Sequence, residues 1–270
     1  MKHSRIRDGR AVFAAVLFLV PFSFFLTARA GGQAPSLDCS EVARAITDMM
    51  RQDARLRDWA NLARYRPDNA ALKPPAPGEA RVVFMGDSIT DSWDDPRFGG
   101  FFPGKSYVNR GISGQTTPQM LLRFRPDVIA LGARAVVILA GTNDIAGNTG
   151  PMTNEEIAGN LASMAELAKT HSVRVVFASI LPVSDYHYKP GAPGGPQTTR
   201  RPSERIRALN AWMKEYASKN GHTYLDYWPA TADDRGMLKA DFSDDDLHPN
   251  QKGYDAMAPL VEGAIQRVLR

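Results

Sequence analysis

Five short apolar runs, separated by amphipathic stretches long enough to be helices, constrain this chain more than any other feature. The runs lie at residues 81–85, 106–109, 135–140, 174–179 and 223–226. Helical spacing recurs at about 118–131, 154–171, 203–220 and 253–269. Apolar runs without alternation suit strands buried on both faces, and intervening helices supply the crossovers that parallel strands need. The pattern predicts an α/β class with helices on both faces of a parallel sheet. No internal repeat interrupts it, and an apolar fraction of 43% is enough for a real core.

The chain before this pattern reads differently. Lys2, Arg5, Arg7 and Arg10 precede an apolar stretch at 11–26, and Ala28-Arg29-Ala30 offers small residues for cleavage. That is the layout of a secretory signal peptide, and Pro21 and the shortness of the stretch argue against a permanent span. The expectation is a secreted or periplasmic protein with no stable membrane insertion after cleavage. Of 33 basic and 29 acidic residues, five and one lie within 1–30, so the remainder is neutral and gives no case for a nucleic-acid partner. Cys39 is the one cysteine, which rules out an internal disulfide and leaves a free or intermolecular thiol.

Residues 31–37 read as a linker and 40–65 as one helix or two. Pro67 and the stretch Lys73-Pro74-Pro75-Ala76-Pro77-Gly78 end them with a stiff connection. The domain reading is therefore a signal peptide at 1–30, an N-terminal helical extension and linker at 31–78, and a main domain at 79–270. Residues 182–202, rich in Pro and Gly, follow a strand end and should overhang the ligand face.

Four stretches lie at strand ends or just before helices. They are Gly86-Asp87-Ser88-Ile89-Thr90, Gly111-Ile112-Ser113-Gly114-Gln115-Thr116, Gly141-Thr142-Asn143-Asp144 and Asp245-Asp246-Leu247-His248-Pro249. A parallel sheet gathers such ends at one edge, where ligands bind. Ser88 as nucleophile would need an adjacent base. Of the five histidines, His248 has acidic residues before it, and Asp245 at i−3 can hold its Nδ1–H while Nε2 takes the serine proton. The alternative is a solvated acidic turn capping the last helix. Asp244 and Asp246 are expected to be solvated charges. For an oxyanion the candidate donors are the backbone N–H of Ser88, the N–H of Gly114 and the side-chain amide of Asn143. Asp87 and Asp144 suit loop-holding hydrogen bonds. No His/Cys cluster has metal-ligand spacing, so no metal and no cofactor are expected.

In their order and spacing the four stretches resemble the SGNH hydrolases, the GDSL-type esterases and lipases, over about residues 80–265. The resemblance implies a three-layer α/β/α fold, similar to flavodoxin topology, with a parallel sheet of about five strands. It implies Ser88 as nucleophile, Gly114 and Asn143 as oxyanion donors, and Asp245 with His248 completing a triad. The family often has a small residue where this chain has Asp246. The function expected is a secreted serine esterase working through an acyl-enzyme on short-chain acyl or acetylated polar substrates, carbohydrate esters among them. Alternatives are a lysophospholipase or lipase-type acylhydrolase, an acyltransferase with the same triad, and a carbohydrate-binding module with a vestigial site. The insertion supplies Tyr186, His187, Tyr188, Lys189, Arg200 and Arg201, aromatic faces and cations suited to a polar substrate, and of these Tyr186, His187 and Arg200 are the residues expected to meet it.

Overall fold

The computed structural model describes residues 38–98 and 100–270. The expected signal peptide at 1–30 and linker at 31–37 lie outside the described residues. Five strands, β1 (Val82–Gly86), β2 (Tyr107–Gly111), β3 (Ala135–Leu139), β4 (Arg174–Ala178) and β5 (Thr223–Leu225), form one sheet in the order β2-β1-β3-β4-β5. Every neighbouring pair is parallel, with Gly86 opposite Gly111 on one side and Leu139 on the other. The helices are α1 (Cys39–Arg57), α2 (Arg66–Ala71), α3 (Ser88–Asp91), α4 (Thr117–Asp127), α5 (Thr142–Ile145), α6 (Asn154–Thr170), α7 (Gln197–Arg200), α8 (Ser203–Asn220), α9 (Trp228–Thr231) and α10 (Gln251–Leu269).

Side chains of a strand alternate between faces, and this sets the layers. Val83, Met85, Val136, Ile138, Val175 and Phe177 pack with α4, α6 and α8 on one face. Val82, Phe84, Val137, Val176 and Leu225 pack with α10 on the other. β1 and β3 are buried along their whole length, which is why they read as unbroken apolar runs. Each large side chain removed from water there stabilises the fold by roughly 1.5–3 kcal/mol. On the α10 face Phe84 meets Phe101 edge-on at a centroid distance of 4.9 Å, and Trp93 stacks on Tyr254 at the same distance.

Helix boundaries follow local chemistry. The Thr153 hydroxyl accepts from the Glu156 amide and the Glu156 carboxylate accepts from the Thr153 amide, a capping box that starts α6. Gly221, with φ of 73°, closes α8 in the left-handed conformation. The expected helix at 118–131 breaks after Asp127 into a separate 3₁₀ turn, Ile129–Leu131. Pro126 lies inside the last turn of α4, where it donates no N–H, and the backbone leaves helical geometry at Val128 (φ −128°, ψ −63°).

The helical reading of 40–65 resolves into α1 followed by turns, with α2 beyond them. Residues 58–81 are bound to the strand ends. The Gln115 side-chain amide donates to Ala60 O at 2.7 Å, and the Tyr65 hydroxyl donates to Gly111 O. Buried Arg81 donates to Leu131 O at 2.7 Å and to Lys73 O at 2.8 Å, which pins the proline-rich connection against the sheet. Among the described residues no helix is long and apolar enough to cross a membrane.

Candidate active site

The carboxyl ends of β1, β2 and β3 place three loops side by side. Gly86 ends β1 where a Cβ would lie 2.0 Å from Thr90 Oγ1, so only glycine lets the chain turn this tightly into α3. The Asp87 side chain caps α3 by accepting from the Ile89 amide at 3.0 Å. Ser88 is then the first residue of α3, where a backbone N–H has no partner within the helix.

His248 lies in the loop between Ser243 and Pro249, which pair as an isolated antiparallel bridge just before α10. Its Nε2 is 2.8 Å from Ser88 Oγ and its Nδ1 is 2.6 Å from Asp245 Oδ2. The other oxygen of Asp245 accepts from the His248 amide at 2.8 Å and the Leu247 amide at 3.1 Å. Burial pushes the Asp245 pKa up, but the hydrogen bonds and charge of His248 outweigh it and hold the group below the ordinary carboxylate range. The loop is tied to the serine helix by Tyr254, whose hydroxyl donates to Ile89 O at 2.8 Å.

The second loop follows β2. Gly114 has φ of +79°, a conformation that favours glycine, and its carbonyl accepts from Asn148 Nδ2 at 3.1 Å. Asp91 Oδ2 accepts from the Ser113 amide at 3.1 Å and hydroxyl at 2.7 Å, so α3 and this loop are joined directly. In the third loop Asn143 is buried and donates through Nδ2 to Gln115 O at 3.1 Å. Asp144, beside it, accepts from the Thr117 amide at 2.9 Å and hydroxyl at 2.5 Å. Asp87 and Asp144 each keep one buried oxygen without a partner, and burial raises both pKa values, that of Asp87 to about 6.

A cavity of about 420 Å³ opens between these loops, with Ser88, Gly114, Asn143, Arg200, Leu247 and His248 on its walls. It shares Ser113, Gly114, Asn148 and Arg200 with a larger hollow of about 940 Å³ that runs to Trp59 and Asn61. Ser88, Asp245, His248, Gly114 and Asn143, named from the sequence, thus meet at one place. Of the insertion residues Arg200 is on the cavity wall, whereas Tyr186 and His187 are not. The Tyr186 hydroxyl donates to Asp233 at 2.5 Å, and His187 is held by Asp246 at 3.0 Å. Asp246 also departs from the expected solvated charge. It is 2% exposed and accepts from the Ser184 hydroxyl at 2.7 Å and the His187 amide at 2.9 Å.

Asn148 belongs to the site without having been named from the sequence, and Arg201, named there only among the cations of the insertion, lies on the cavity wall as well. The available signals were a basic pair at the end of an insertion after a strand, and an asparagine just beyond Gly141-Thr142-Asn143-Asp144. Among the described residues no group of three or more His, Cys, Asp or Glu is placed to hold a metal.

Comparison with known proteins bears on the same region. The model of the GDSL-like lipase/acylhydrolase family matches residues 84–256. No curated protein matches the chain. A GDSL-like lipase of Bacteroides thetaiotaomicron is similar in structure, with 41% identity and a TM-score of 0.68 over 77% of this chain and 98% of that one. A Bacteroides fragilis structure described as an acylhydrolase has the same identity of 41% and TM-score of 0.68, over 78% and 99%. A catalytic mutant of an acetylxylan esterase from Geobacillus stearothermophilus shares the fold at 19% identity, with a TM-score of 0.55 over 72% and 96%. Site geometry apart, a family match across most of the sheet domain settles the affiliation: the chain belongs to the GDSL-like lipase/acylhydrolase family, the SGNH hydrolases.

Proposed function

We propose that this acylhydrolase is a serine esterase that cleaves carboxylic esters through an acyl-enzyme, with Ser88, His248 and Asp245 as its triad. One observation carries the reading. His248 bridges Ser88 Oγ at 2.8 Å and Asp245 Oδ2 at 2.6 Å on the wall of an open cavity.

In this reading Ser88 Oγ attacks the ester carbonyl while His248 Nε2 takes its proton. Asp245 holds the Nδ1 tautomer and stabilises the imidazolium. The oxyanion is met by the N–H groups of Ser88 and Gly114 and by the second hydrogen of Asn143 Nδ2, whose first is given to Gln115 O. The tetrahedral adduct collapses, the C–O bond to the alcohol breaks, and His248 returns the proton to the leaving oxygen. Water then attacks the acyl-enzyme with His248 again as base, and the free acid departs.

The substrate we infer is a short acyl ester, acetyl above all, of a polar alcohol such as a sugar. The small cavity at Ser88 suits the acyl group. The larger hollow, lined by Trp59, Asn61, Gln119, Asn148 and Thr149, suits a polar alcohol. The shared fold with an acetylxylan esterase points the same way. We read the chain as exported after cleavage near Ala30, which mass spectrometry of the mature N-terminus from the native host would check. The test of function is hydrolysis of 4-nitrophenyl acetate together with labelling by a fluorophosphonate. Both should be present in the native protein and lost in Ser88→Ala. An active Ser88→Ala protein overturns the reading.

A further inference from the structure

Two consecutive arginines of the insertion reach the loops that carry the oxyanion donors. Arg201 is 2% exposed, yet stands on the wall of the cavity at Ser88. Its Nη2 donates to Asn143 Oδ1 at 3.3 Å, its Nε to Thr142 Oγ1 at 3.0 Å and its Nη1 to Gln197 Oε1 at 2.5 Å. Arg200 donates to Asn148 Oδ1 at 3.3 Å. The two asparagines then repeat one arrangement. Asn143 donates to Gln115 O and Asn148 to Gly114 O, each at 3.1 Å, and these are consecutive carbonyls of the loop after β2.

A guanidinium has only donors, so an amide that faces it must present its oxygen. Contact with Arg201 therefore decides which way the Asn143 amide is turned and leaves Nδ2 toward Gln115 O and the cavity. Among the described residues no carboxylate is within ion-pair distance of Arg201. Burial and the charge of Arg200 lower its pKa to about 10 against the opposite pull of Asp87 and Asp245, which leaves it charged at neutral pH. Burying a cation without a counter-charge in contact is costly.

We propose that Arg201 is a positioning residue for ester cleavage: it fixes the Asn143 amide in its donating orientation. The inference rests on the proposed roles of Ser88 and Asn143. It makes the insertion, through a residue at its end, part of the transition-state apparatus rather than only a cover.

The experiment is a double-mutant cycle on 4-nitrophenyl acetate, with Arg201→Gln, Arg201→Lys, Asn143→Ala and the Arg201→Gln/Asn143→Ala pair. Arg201→Gln should lower kcat by roughly 10- to 100-fold, less than loss of a direct donor, with KM within about threefold. Arg201→Lys, which keeps the charge but not the fork, should fall between Gln and the native enzyme. In the Asn143→Ala background the Gln substitution should cost no more than about threefold, because its route of action is gone. Equal kcat for native, Gln and Lys forms overturns the proposal, as does a full multiplication of the two single effects. A native-like kcat in Asn143→Ala would instead overturn the oxyanion reading beneath it. Should Arg201→Gln fail to give a native circular-dichroism spectrum and melt, the same cycle is run with Arg201→Lys. Native kcat in that variant, or full multiplication with Asn143→Ala, is then the overturning result.

Discussion

Asp245 and Asp246 are neighbours in the chain and hold opposite sides of one loop. Asp245 takes the His248 ring at 2.6 Å, while Asp246 is turned into the protein and holds Ser184 at 2.7 Å and the His187 ring at 3.0 Å. The first bond orients a ring that touches Ser88, and the second ties the start of the insertion to the same loop.

Replacing each acid by its amide should separate these jobs. Asp245→Asn permits the wrong imidazole tautomer and should lower kcat by ~10²–10⁴. Asp246→Asn keeps a residue type that tolerates the φ of 69° found there, but loses charge-assisted bonds to Ser184 and His187. It should cost about 1–3 kcal/mol of stability, a clear drop in melting temperature, with a smaller kcat effect than Asp245→Asn. Asp244 is exposed and accepts one bond from Asn250 at 3.2 Å, so Asp244→Asn should stay near native on both measures. A crippled Asp244→Asn, or an Asp245→Asn with native kcat, contradicts this division.

Asn143→Ala should lower kcat by roughly 10²–10³ and leave KM nearly unchanged, as loss of a donor used only in the transition state does. Steady-state kinetics on an acetyl ester decide it. An effect confined to KM would mean that Asn143 binds ground-state substrate.

Asp87 makes stability depend on pH in a defined direction. Its folded pKa of about 6 exceeds the ordinary 3.8, with burial as the main cause. Between about pH 4 and 6 the unfolded chain has released a proton that the folded chain retains. Rising pH across that window therefore favours unfolding, by at most about 3 kcal/mol. Asp87→Asn has nothing to titrate, so its melting temperature relative to native should be higher at pH 7.5 than at pH 4. The same difference at both values would show that the carboxyl does not titrate in this window.

Acyl-chain selectivity should follow the size of the cavity at Ser88. At about 420 Å³, with serines, asparagines and arginines on much of its wall, it offers little apolar surface for a long chain. Acetyl and butyryl esters of one alcohol should have higher kcat/KM than octanoyl or palmitoyl esters. A maximum at long chains would favour a lipase instead.

The sheet was legible because its strands are buried on both faces. Each expected run lies within a residue or two of an observed strand, from Val82–Gly86 to Thr223–Leu225. The loops bearing Ser88, Gly114, Asn143 and His248 were legible because Gly, Asp and Asn at strand ends leave a local trace. Pairings across the chain leave none. Arg201 meets Asn143 over a separation of 58 residues and Asp246 meets His187 over 59, with no period or spacing to announce either. Tyr186 and His187 have side chains that suit a polar substrate, but their direction is decided by Asp233 and Asp246 elsewhere in the fold.

The contact between Ser88 and His248 also has a bearing on when the molecule can first act. They are 160 residues apart, with the serine after the first strand and the histidine before the last helix. Bringing them together costs the chain entropy of closing the intervening loop. In the proposed triad the serine is activated only once the loop carrying His248 stands beside it, a placement that Tyr254 supports through its bond to Ile89 O. Until then the serine stays an ordinary, unactivated alcohol. The onset of activity during refolding should therefore time the arrival of that loop beside Ser88, which makes ester turnover a clock for this step of assembly.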